Sequence, residues 1–290
     1  MQEKLQIAVY GRTLDSARIP DVLRFITRLS RDSNLYIHSQ FLDSLNGLDF
    51  NFFKEFNGVA DFPQVDLLIS IGGDGTLLDC VSFVRDSDIP IWGVNIGRLG
   101  FLTFTSLDDA EVTFDAILKG DYTIESRSMI EVSVDGMPPV FSAALNEVTV
   151  QKQDSSMVTV HAYIDNEFLG TYWADGVIVA TPTGSTAYSL SIGGPIVTPD
   201  SNVFTLSPIA PHNLNMRPLV LPDTSILRLE VESRFGNIVW SMDNSRFVAP
   251  SGTSLTLHKS KSQIRFMKFK GNNFCINLRN KLLWGFDKRN

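Results

Sequence analysis

A single carboxylate surrounded by glycines follows a buried apolar run in the first quarter of the chain. Val65–Ile71 is that run, and it is followed directly by Gly72, Gly73, Asp74, Gly75 and Thr76. Backbone without side chains can approach a phosphate closely and point its N–H groups at the anion. Asp74 would repel that anion unless a metal ion or a reacting hydroxyl lay between them, so the combination indicates phosphoryl transfer. The alternative is a tight strand-to-helix turn that binds no ligand.

The glycine loop differs from two well-known phosphate-binding motifs. The P-loop pattern G-x-x-x-x-G-K-[ST] is absent from the sequence, and Leu78 stands where the dinucleotide fingerprint has its third glycine or alanine. In open α/β sheets, ligands bind beyond the carboxyl ends of the strands. The loop is expected to lie at that place, because it follows a strand.

Three further segments carry groups suited to a ligand. Segment 93–102 is a second glycine-rich turn, in which Arg98 is either a cation for a phosphate or an ordinary exposed arginine. Asn146 donates and accepts and Glu147 accepts, so the pair could hold a ribose diol and an amide, although such a pair at a strand start is often only solvated. Thr183–Ser191 packs small and hydroxylated residues into a turn that could open a helix and bind an anion, or be only a hydroxyl-rich cap.

These segments lie in two regions of different pattern. Up to about residue 125, short apolar runs alternate with helical patterns, which predicts a parallel sheet covered by helices. The predicted strands are Leu5–Tyr10, Asn34–His38, Val65–Ile71 and Ile91–Val94, and the predicted helices are Ile19–Ser30, Leu77–Val84 and Leu107–Lys119. From Met129 onward, short β-branched runs predict a β-rich domain. Its predicted strands are Ile130–Val134, Val148–Val150, Val158–Ile164, Phe168–Trp173, Gly176–Ala180, Ile226–Val231, Ile238–Met242 and Ile264–Phe269, followed by a closing helix within Phe274–Trp284.

We therefore expect an α/β domain over residues 1–125, joined by a returning C-terminal helix at about 271–290, and a β-rich domain over 126–270. The 290 residues are 43% hydrophobic, which is sufficient for a sizeable core, and the net charge of −7 argues against broad nucleic-acid binding. Cys80 and Cys275 fit no metal spacing and are expected to be reduced core residues. The sequence shows neither a signal-peptide pattern nor an apolar stretch of membrane-spanning length, so we predict a cytoplasmic protein with no membrane partner. No residue is assigned as a metal ligand.

The motifs together resemble those of the NAD kinase family. Gly72–Thr76 is similar to the signature that NAD kinases share with diacylglycerol-type lipid kinases and, more loosely, phosphofructokinases. Segment 93–102, the pair Asn146-Glu147, and Asp175-Gly176 with segment 181–195 resemble the remaining NAD kinase motifs in the family's order. The resemblance covers roughly Leu67 to Asp243, and it implies a two-domain fold with the dinucleotide in the crevice between the domains.

The resemblance implies transfer of the γ-phosphoryl group of ATP to the 2′-hydroxyl of the adenosine ribose of NAD, which gives NADP. Asp74 would be the general base, and ATP would lie against the glycine loop with Mg²⁺ or another divalent metal bridging its phosphates. In the family the aspartate that matches Asp175 often serves a neighbouring subunit, so a homodimer or homotetramer is implied. The implied substrate- and nucleotide-binding residues are Gly72, Gly73, Gly75, Thr76, Asn146, Glu147, Trp173, Asp175, Thr186, Ala187, Tyr188, Ser189, Leu190, Ser191 and Ala210.

The sequence departs from the family pattern at Met157, at Trp173 and at Ser245 in the segment after Asp243, which leaves donor and substrate preference open. Two other functions remain as alternatives. A diacylglycerol-type lipid kinase would need an exposed apolar or basic membrane-facing surface but not segment 181–195. A non-catalytic NADP-binding sensor would bind the dinucleotide without turnover.

Overall fold

The computed structural model describes residues 4–45, 53–136, 143–234, 236–271 and 273–285. The chain forms two compact units, of which the first contains residues up to Ser126 together with those from Ile264 onward, and the second contains Arg127–Gln263. Each unit has its own cluster of buried apolar side chains. No helix within the described ranges is long and apolar enough to cross a membrane.

The first unit is built on a parallel sheet covered by helices. Its strands are β1 (Leu5–Gly11), β2 (Ser33–His38), β3 (Phe53–Phe56), β4 (Leu67–Ile71), β5 (Ile91–Asn95) and β6 (Thr105–Ser106). The order is β3-β2-β1-β4-β5, all parallel, with β6 beside β5. The helices are α1 (Ile19–Asp32), α2 (Ser39–Ser44), α3 (Asp74–Val84) and α4 (Ala110–Lys119), with 3-10 turns at Ser16–Arg18 and Val59–Asp61. Every residue of β4 and β5 is buried, as expected for the central strands of a parallel sheet.

Hydrophobic periodicity explains α1 and its place on the sheet. Val22, Phe25, Ile26 and Leu29 recur at helical spacing and are all buried, and the Phe25 ring meets that of Trp92 on β5 edge to face. The predicted strands and helices of this unit are confirmed with shifts of a few residues. The shift at α3 matters for function, because the helix begins at Asp74 rather than at Leu77. Strand β3 and helix α2 were not predicted.

The remaining strands lie mainly in the second unit, where they form two antiparallel groups. They are β7 (Thr123–Val134), β8 (Ala143–Ala144), β9 (Glu147–Lys152), β10 (Val158–Ile164), β11 (Glu167–Ala174), β12 (Gly176–Ala180), β13 (Val203–Ile209), β14 (Leu219–Pro222), β15 (Leu227–Ser233), β16 (Asn237–Met242), β17 (Ser245–Pro250) and β18 (Thr253–Lys268). One sheet has the order β14-β13-β12-β9-β16-β17, and in the other β11, β10, β15 and β18 pair in turn. Apolar side chains of both sheets, such as Val150 and Val160, share one core. The predicted fold class, an α/β domain and a β-rich domain, is confirmed.

Two differences lie near the C-terminus. Strand β18 is sixteen residues long, and its last residues belong to the first unit, where Phe266 pairs in parallel with Ile91 of β5. The final helix, α6 (Phe274–Leu282), has no buried residue. Cys275 lies on this helix and is exposed, so its prediction as a core residue was wrong, whereas Cys80 on α3 is buried as predicted.

Candidate active site

The glycine loop, Gly72–Thr76, connects β4 to α3 and includes the first residues of that helix. Gly72 and Gly73 link Ile71, the last residue of β4, to Asp74, the first residue of α3. The Gly72 N–H donates to the Val94 carbonyl at 2.9 Å, which ties the loop to β5. The first turn of a helix presents N–H groups that have no acceptor within the helix, and they attract anions. The loop therefore has the strand–turn–helix form that the phosphate-site prediction requires.

The Asp74 carboxylate is held by the second glycine-rich segment and the residue after it. Its Oδ2 accepts a hydrogen bond from the Phe101 N–H at 2.7 Å. Its Oδ1 accepts three, from the Leu102 N–H at 3.1 Å, the Thr103 N–H at 3.0 Å and the Thr103 hydroxyl at 2.9 Å. Because all four donors come from one short stretch of chain, the carboxylate is fixed in both position and orientation.

Thr103 extends this arrangement into the core. Its side chain is fully buried, and its hydroxyl accepts a hydrogen bond from Asn95 Nδ2 at 2.7 Å while it donates to Asp74. Asn95 in turn accepts from the Gly97 N–H through Oδ1 at 2.7 Å. Thr103 was not predicted as a site residue, although its position one residue beyond a predicted ligand-binding segment was a usable signal.

Arg98 and Arg12 lie on loops of this unit that follow strands of the parallel sheet. Arg98 is exposed on the second glycine-rich segment. Arg12, which was not predicted, follows β1 directly and forms a bidentate ion pair with Asp79 of α3, with Nε–Oδ2 at 2.6 Å and Nη2–Oδ1 at 2.8 Å. Its Nη2 also donates to the Gly75 carbonyl at 3.2 Å. Arg12 could have been noticed because both strands lead into glycine, since Gly11 ends β1 and Gly72 follows β4.

In the second unit, Asp243 organises the predicted Asn146-Glu147 pair. Asp243 lies in the turn between β16 and β17 with a positive φ of 45°. Its carboxylate accepts hydrogen bonds from the N–H groups of Leu145 at 2.8 Å, Asn146 at 2.8 Å and Glu147 at 3.1 Å. The Asp243 N–H donates back to the Glu147 carbonyl at 3.0 Å. Both members of the pair are buried rather than solvated, because this turn covers the start of β9.

The environment of Glu147 changes its chemistry. Burial and, to a smaller extent, the nearby charge of Asp243 raise the pKa of Glu147 to about 8, and a backbone hydrogen bond at Tyr188 opposes both. Burial also raises the pKa of Asp243, against the three backbone N–H groups that favour its ionised form. Glu147 Oε2 is buried and has no hydrogen-bond partner among the described residues. Glu147 is therefore mostly protonated at neutral pH and can donate a hydrogen bond as well as accept one, which corrects its description as an acceptor only.

The first residues of the long motif at 181–195 pack against the Asn146-Glu147 pair. The Thr181 N–H donates to the Asn146 carbonyl at 2.9 Å, and the Thr181 hydroxyl donates to the Leu145 carbonyl at 2.6 Å. A Cβ atom at Gly184 would overlap the Asn146 carbonyl oxygen, so this close approach requires glycine. The helix that the segment Thr183–Ser191 opens is short. A 3-10 turn at Gly184–Thr186 and a four-residue helix, α5 (Tyr188–Ser191), are all that form, since Gly193, Gly194 and Pro195 follow.

The other predicted residues lie in two places. Ser189 is buried, Thr186, Ala187 and Leu190 are half-buried, and Tyr188 and Ser191 are exposed, all on the turn and α5. Trp173, Asp175 and Ala210 lie elsewhere: Trp173 is 43% exposed on β11, Asp175 follows β11 and pairs with Lys152 at 2.7 Å, and Ala210 is exposed after β13. Lys152 ends β9 and Glu147 begins it, so Asp175 and the Asn146-Glu147 pair lie at opposite ends of a six-residue strand. At about 3.3 Å per residue, that strand separates them by roughly 17 Å.

Comparison with known proteins connects these sites to one family. Models of the ATP-NAD kinase N-terminal and C-terminal domains match residues 51–122 and 145–269. An NAD kinase of Cytophaga hutchinsonii is 41% identical over 289 residues, which are 98% of this chain and 99% of the relative. The crystal structure of yeast NADH kinase complexed with NADH matches with a TM-score of 0.89 and 25% identity, over 99% of this chain and 90% of that one. An Archaeoglobus fulgidus NAD kinase in complex with ATP matches with a TM-score of 0.70 and 27% identity, over 97% and 98% of the two chains. The predicted resemblance is thus confirmed, and the chain belongs to the ATP-NAD kinase family.

Proposed function

We propose that this chain is an NAD kinase, which transfers the γ-phosphoryl group of ATP to the 2′-hydroxyl of the adenosine ribose of NAD. The observation that carries the proposal is the Asp74 carboxylate, held by four hydrogen bonds in the first turn of α3 at the carboxyl end of β4. Similarity to NAD kinases along nearly the whole chain supports NAD as the acceptor. A domain-model match over 145–269 supports this acceptor over a lipid, because that region contains the long motif at 181–195.

In the proposed reaction, Asp74 orients and deprotonates the attacking hydroxyl. Oδ2 accepts one hydrogen bond, so it retains a lone pair for the ribose hydroxyl, whereas Oδ1 is occupied by three donors. The ribose oxygen bonds to the γ-phosphorus, the bond to the β–γ bridging oxygen breaks, and ADP departs with that electron pair. The proton passes to Asp74. Phosphoryl transfer depends mainly on positioning and charge neutralisation, and a general base contributes roughly 10²- to 10⁴-fold.

A divalent metal such as Mg²⁺ supplies charge neutralisation on the triphosphate when it is bound. Within the described residues, no group of three or more His, Cys, Asp or Glu side chains could hold a metal ion. These residues therefore suit an ion that arrives on the nucleotide, since Mg²⁺ is usually held by substrate phosphates and one or two carboxylates. The free lone pair of Asp74 is assigned to the ribose hydroxyl, so the phosphates of the nucleotide would hold the ion.

The dinucleotide is proposed to bind at the Asn146-Glu147 pair. Asn146 offers a donor and an acceptor, and protonated Glu147 offers both through a single carboxyl group. Asp243 holds the backbone of the pair, so the groups are positioned before the ligand arrives. The location of Asp175 at the other end of β9 supports its assignment to the site of a neighbouring subunit in a homodimer or homotetramer. A cytoplasmic location is proposed from the two unpaired cysteines.

The deciding experiment incubates purified protein with ATP, Mg²⁺ and NAD and follows NADP with a coupled NADP-specific dehydrogenase. We expect NADP formation by the wild type and a decrease in kcat of roughly 10²- to 10⁴-fold for Asp74→Asn. Asp86→Asn is the matched control, because Asp86 is an exposed carboxylate just past α3. The absence of NADP above background would reject the kinase. NADP binding without turnover would favour a sensor, and label transfer from ATP to diacylglycerol vesicles would favour a lipid kinase.

A further inference from the structure

The Arg12 guanidinium is anchored beside the glycine loop by two residues of α3. The residue follows Gly11, which ends β1 and pairs with Ile71 at the end of β4. The guanidinium thus lies at the same sheet edge as the loop Gly72–Thr76. It spans the first two turns of α3, where it contacts the Gly75 carbonyl and the Asp79 carboxylate.

Three of the N–H groups of the Arg12 guanidinium are directed to acceptors on α3. An arginine has five N–H groups. One on Nε and one on Nη2 are directed to Asp79, and the second on Nη2 is directed to the Gly75 carbonyl. The hydrogen bonds to Asp79 and Gly75 use Nε and Nη2 and leave the two N–H groups of Nη1 for another acceptor, although the Tyr10 hydroxyl also interacts with the guanidinium. Nη1 lies 3.7 Å from the point where a Cβ atom of Gly75 would be, so these two donors lie next to the glycine loop.

The anchoring is rigid and partly shielded from water. Asp79 accepts from both Arg12 and the hydroxyl of buried Tyr10, the latter at 3.1 Å. Burial and the charge of Asp79 raise the pKa of Tyr10 to about 12, so Tyr10 remains a hydrogen-bond donor at physiological pH. The Arg12 side chain is 51% exposed and that of Asp79 is 23% exposed, so the guanidinium is accessible to a ligand while Asp79 holds it.

We propose that Arg12 binds a phosphate group of the donor nucleotide through Nη1, and that Asp79 is the positioning residue that holds it there. The inference rests on the proposed function, because it takes Gly72–Thr76 as the loop that holds the donor phosphates. A fixed guanidinium whose Nη1 group lies beside the loop can donate to a phosphate oxygen and places its positive charge next to that anion. The chain carries a net charge of −7, so a local cation is needed to attract a triphosphate.

The test measures nucleotide binding separately from turnover. The Mg²⁺ complex of β,γ-imido-ATP is titrated into wild type, Arg12→Met, Arg12→Lys and Asp79→Asn by calorimetry without NAD, and KM values for ATP and NAD are measured in parallel. We expect Arg12→Met to raise the analogue Kd and the KM for ATP by about 10- to 100-fold, with the NAD KM changed by less than about twofold. Arg12→Lys and Asp79→Asn should give smaller increases of about 3- to 10-fold, since the lysine keeps the charge without the guanidinium and the asparagine keeps the guanidinium but weakens its anchoring.

Arg265→Met is the matched control variant. Arg265 is also a half-exposed arginine in an ion pair, with Asp88 at 2.7 Å, but Asp88 precedes the amino end of β5 and the pair is therefore at the opposite sheet edge. Adenosine, which lacks phosphates, should bind wild type and Arg12→Met alike. If Arg12→Met fails to fold by circular dichroism, Arg12→Lys decides the question.

Unchanged analogue affinity in Arg12→Met, or equal weakening in Arg265→Met, would overturn the proposal while leaving the kinase intact. Failure of the wild type to make NADP would instead reject the proposed function, and the analogue titrations would still report on Arg12. Weakening confined to the Arg12 and Asp79 variants supports the proposal in either case.

Discussion

Gly100 lies so close to the Asp74 carboxylate that residue 100 has no room for a side chain. A Cβ atom at residue 100 would overlap Oδ1 of Asp74 and the hydroxyl of Thr103. The glycine is therefore required by the close approach of the second glycine-rich segment to the proposed base. This contact explains why two glycine-rich segments, well apart in sequence, form one site.

Gly100→Ala is expected to displace the Asp74 carboxylate and lower kcat by roughly 10²-fold or more, since a base out of line loses most of its contribution. The KM for NAD should change little. Gly97→Ala on the same segment is the control, because a Cβ atom there would lie 3.9 Å from Asn95 Oδ1, an ordinary contact. Steady-state kinetics on both variants make the comparison, and equal activities would contradict the proposed role of the Gly100 contact.

Thr103→Val should separate the hydrogen bond from the shape of the side chain. The change leaves Asn95 Nδ2 without its acceptor and removes one donor from Asp74, so unfolding free energy should fall by about 1 to 3 kcal/mol and kcat by about 10-fold. Thr103→Ser keeps the hydroxyl and should retain most of the activity. Denaturant unfolding and kcat are the measurements. A valine variant as active as the serine variant would show that the hydroxyl does not position Asp74.

The raised pKa of Glu147 predicts that the stability of the folded chain depends on pH. Its pKa is about 8 in the folded chain and 4.5 in the absence of burial, so between these values the unfolded chain loses a proton that the folded chain keeps. Stability should therefore fall as pH rises from about 4.5 to about 8, by at most about 1.4 kcal/mol per pH unit. Below that window the carboxyl is protonated in both states, and no such loss occurs.

Glu147→Gln removes this effect because glutamine does not titrate. Its thermal midpoint relative to the wild type should thus rise between pH 5 and pH 8, by several degrees. Glu167→Gln, at an exposed carboxyl group that begins β11, serves as the control and should follow the wild type. Parallel pH profiles for wild type and Glu147→Gln would mean that Glu147 is ionised when buried.

The variant Trp173→Ala tests the predicted contact between Trp173 and the dinucleotide. Because the side chain is 43% exposed, Trp173→Ala should change stability by less than about 1 kcal/mol. If the indole stacks on a base of NAD, the KM for NAD should rise about 10-fold with the KM for ATP unchanged. Phe168→Ala, at a 60% exposed aromatic residue on the same strand, is the control. An equal effect of the two variants on the NAD KM would exclude a specific role for Trp173.

The sequence by itself determined the two-part architecture and the family. Alternating apolar runs are a local property, so they predict the strands and helices of the first unit wherever the pattern is strong, as at Val22, Phe25, Ile26 and Leu29 of α1. The motifs are also local, and they occur in a fixed order. Short edge strands such as β3 and β17 were missed because most of their residues are not buried and they contain no long apolar run. Cys275 was misplaced because composition does not reveal that the helix carrying it has no buried residue.

Only the tertiary structure decided how the site groups act. The donors that hold Asp74 lie 27 to 29 residues further along the chain, and Asp243 holds backbone N–H groups 96 to 98 residues away. Whether Glu147 carries a charge depends on its burial beside the Asp243 carboxylate. The orientation of the Arg12 guanidinium depends on its ion pair with Asp79 of α3. Hydrogen-bond geometry and dielectric environment arise from groups that only folding brings together. Residue types and spacing therefore locate the chemistry, but they do not assign protonation, orientation or free donors.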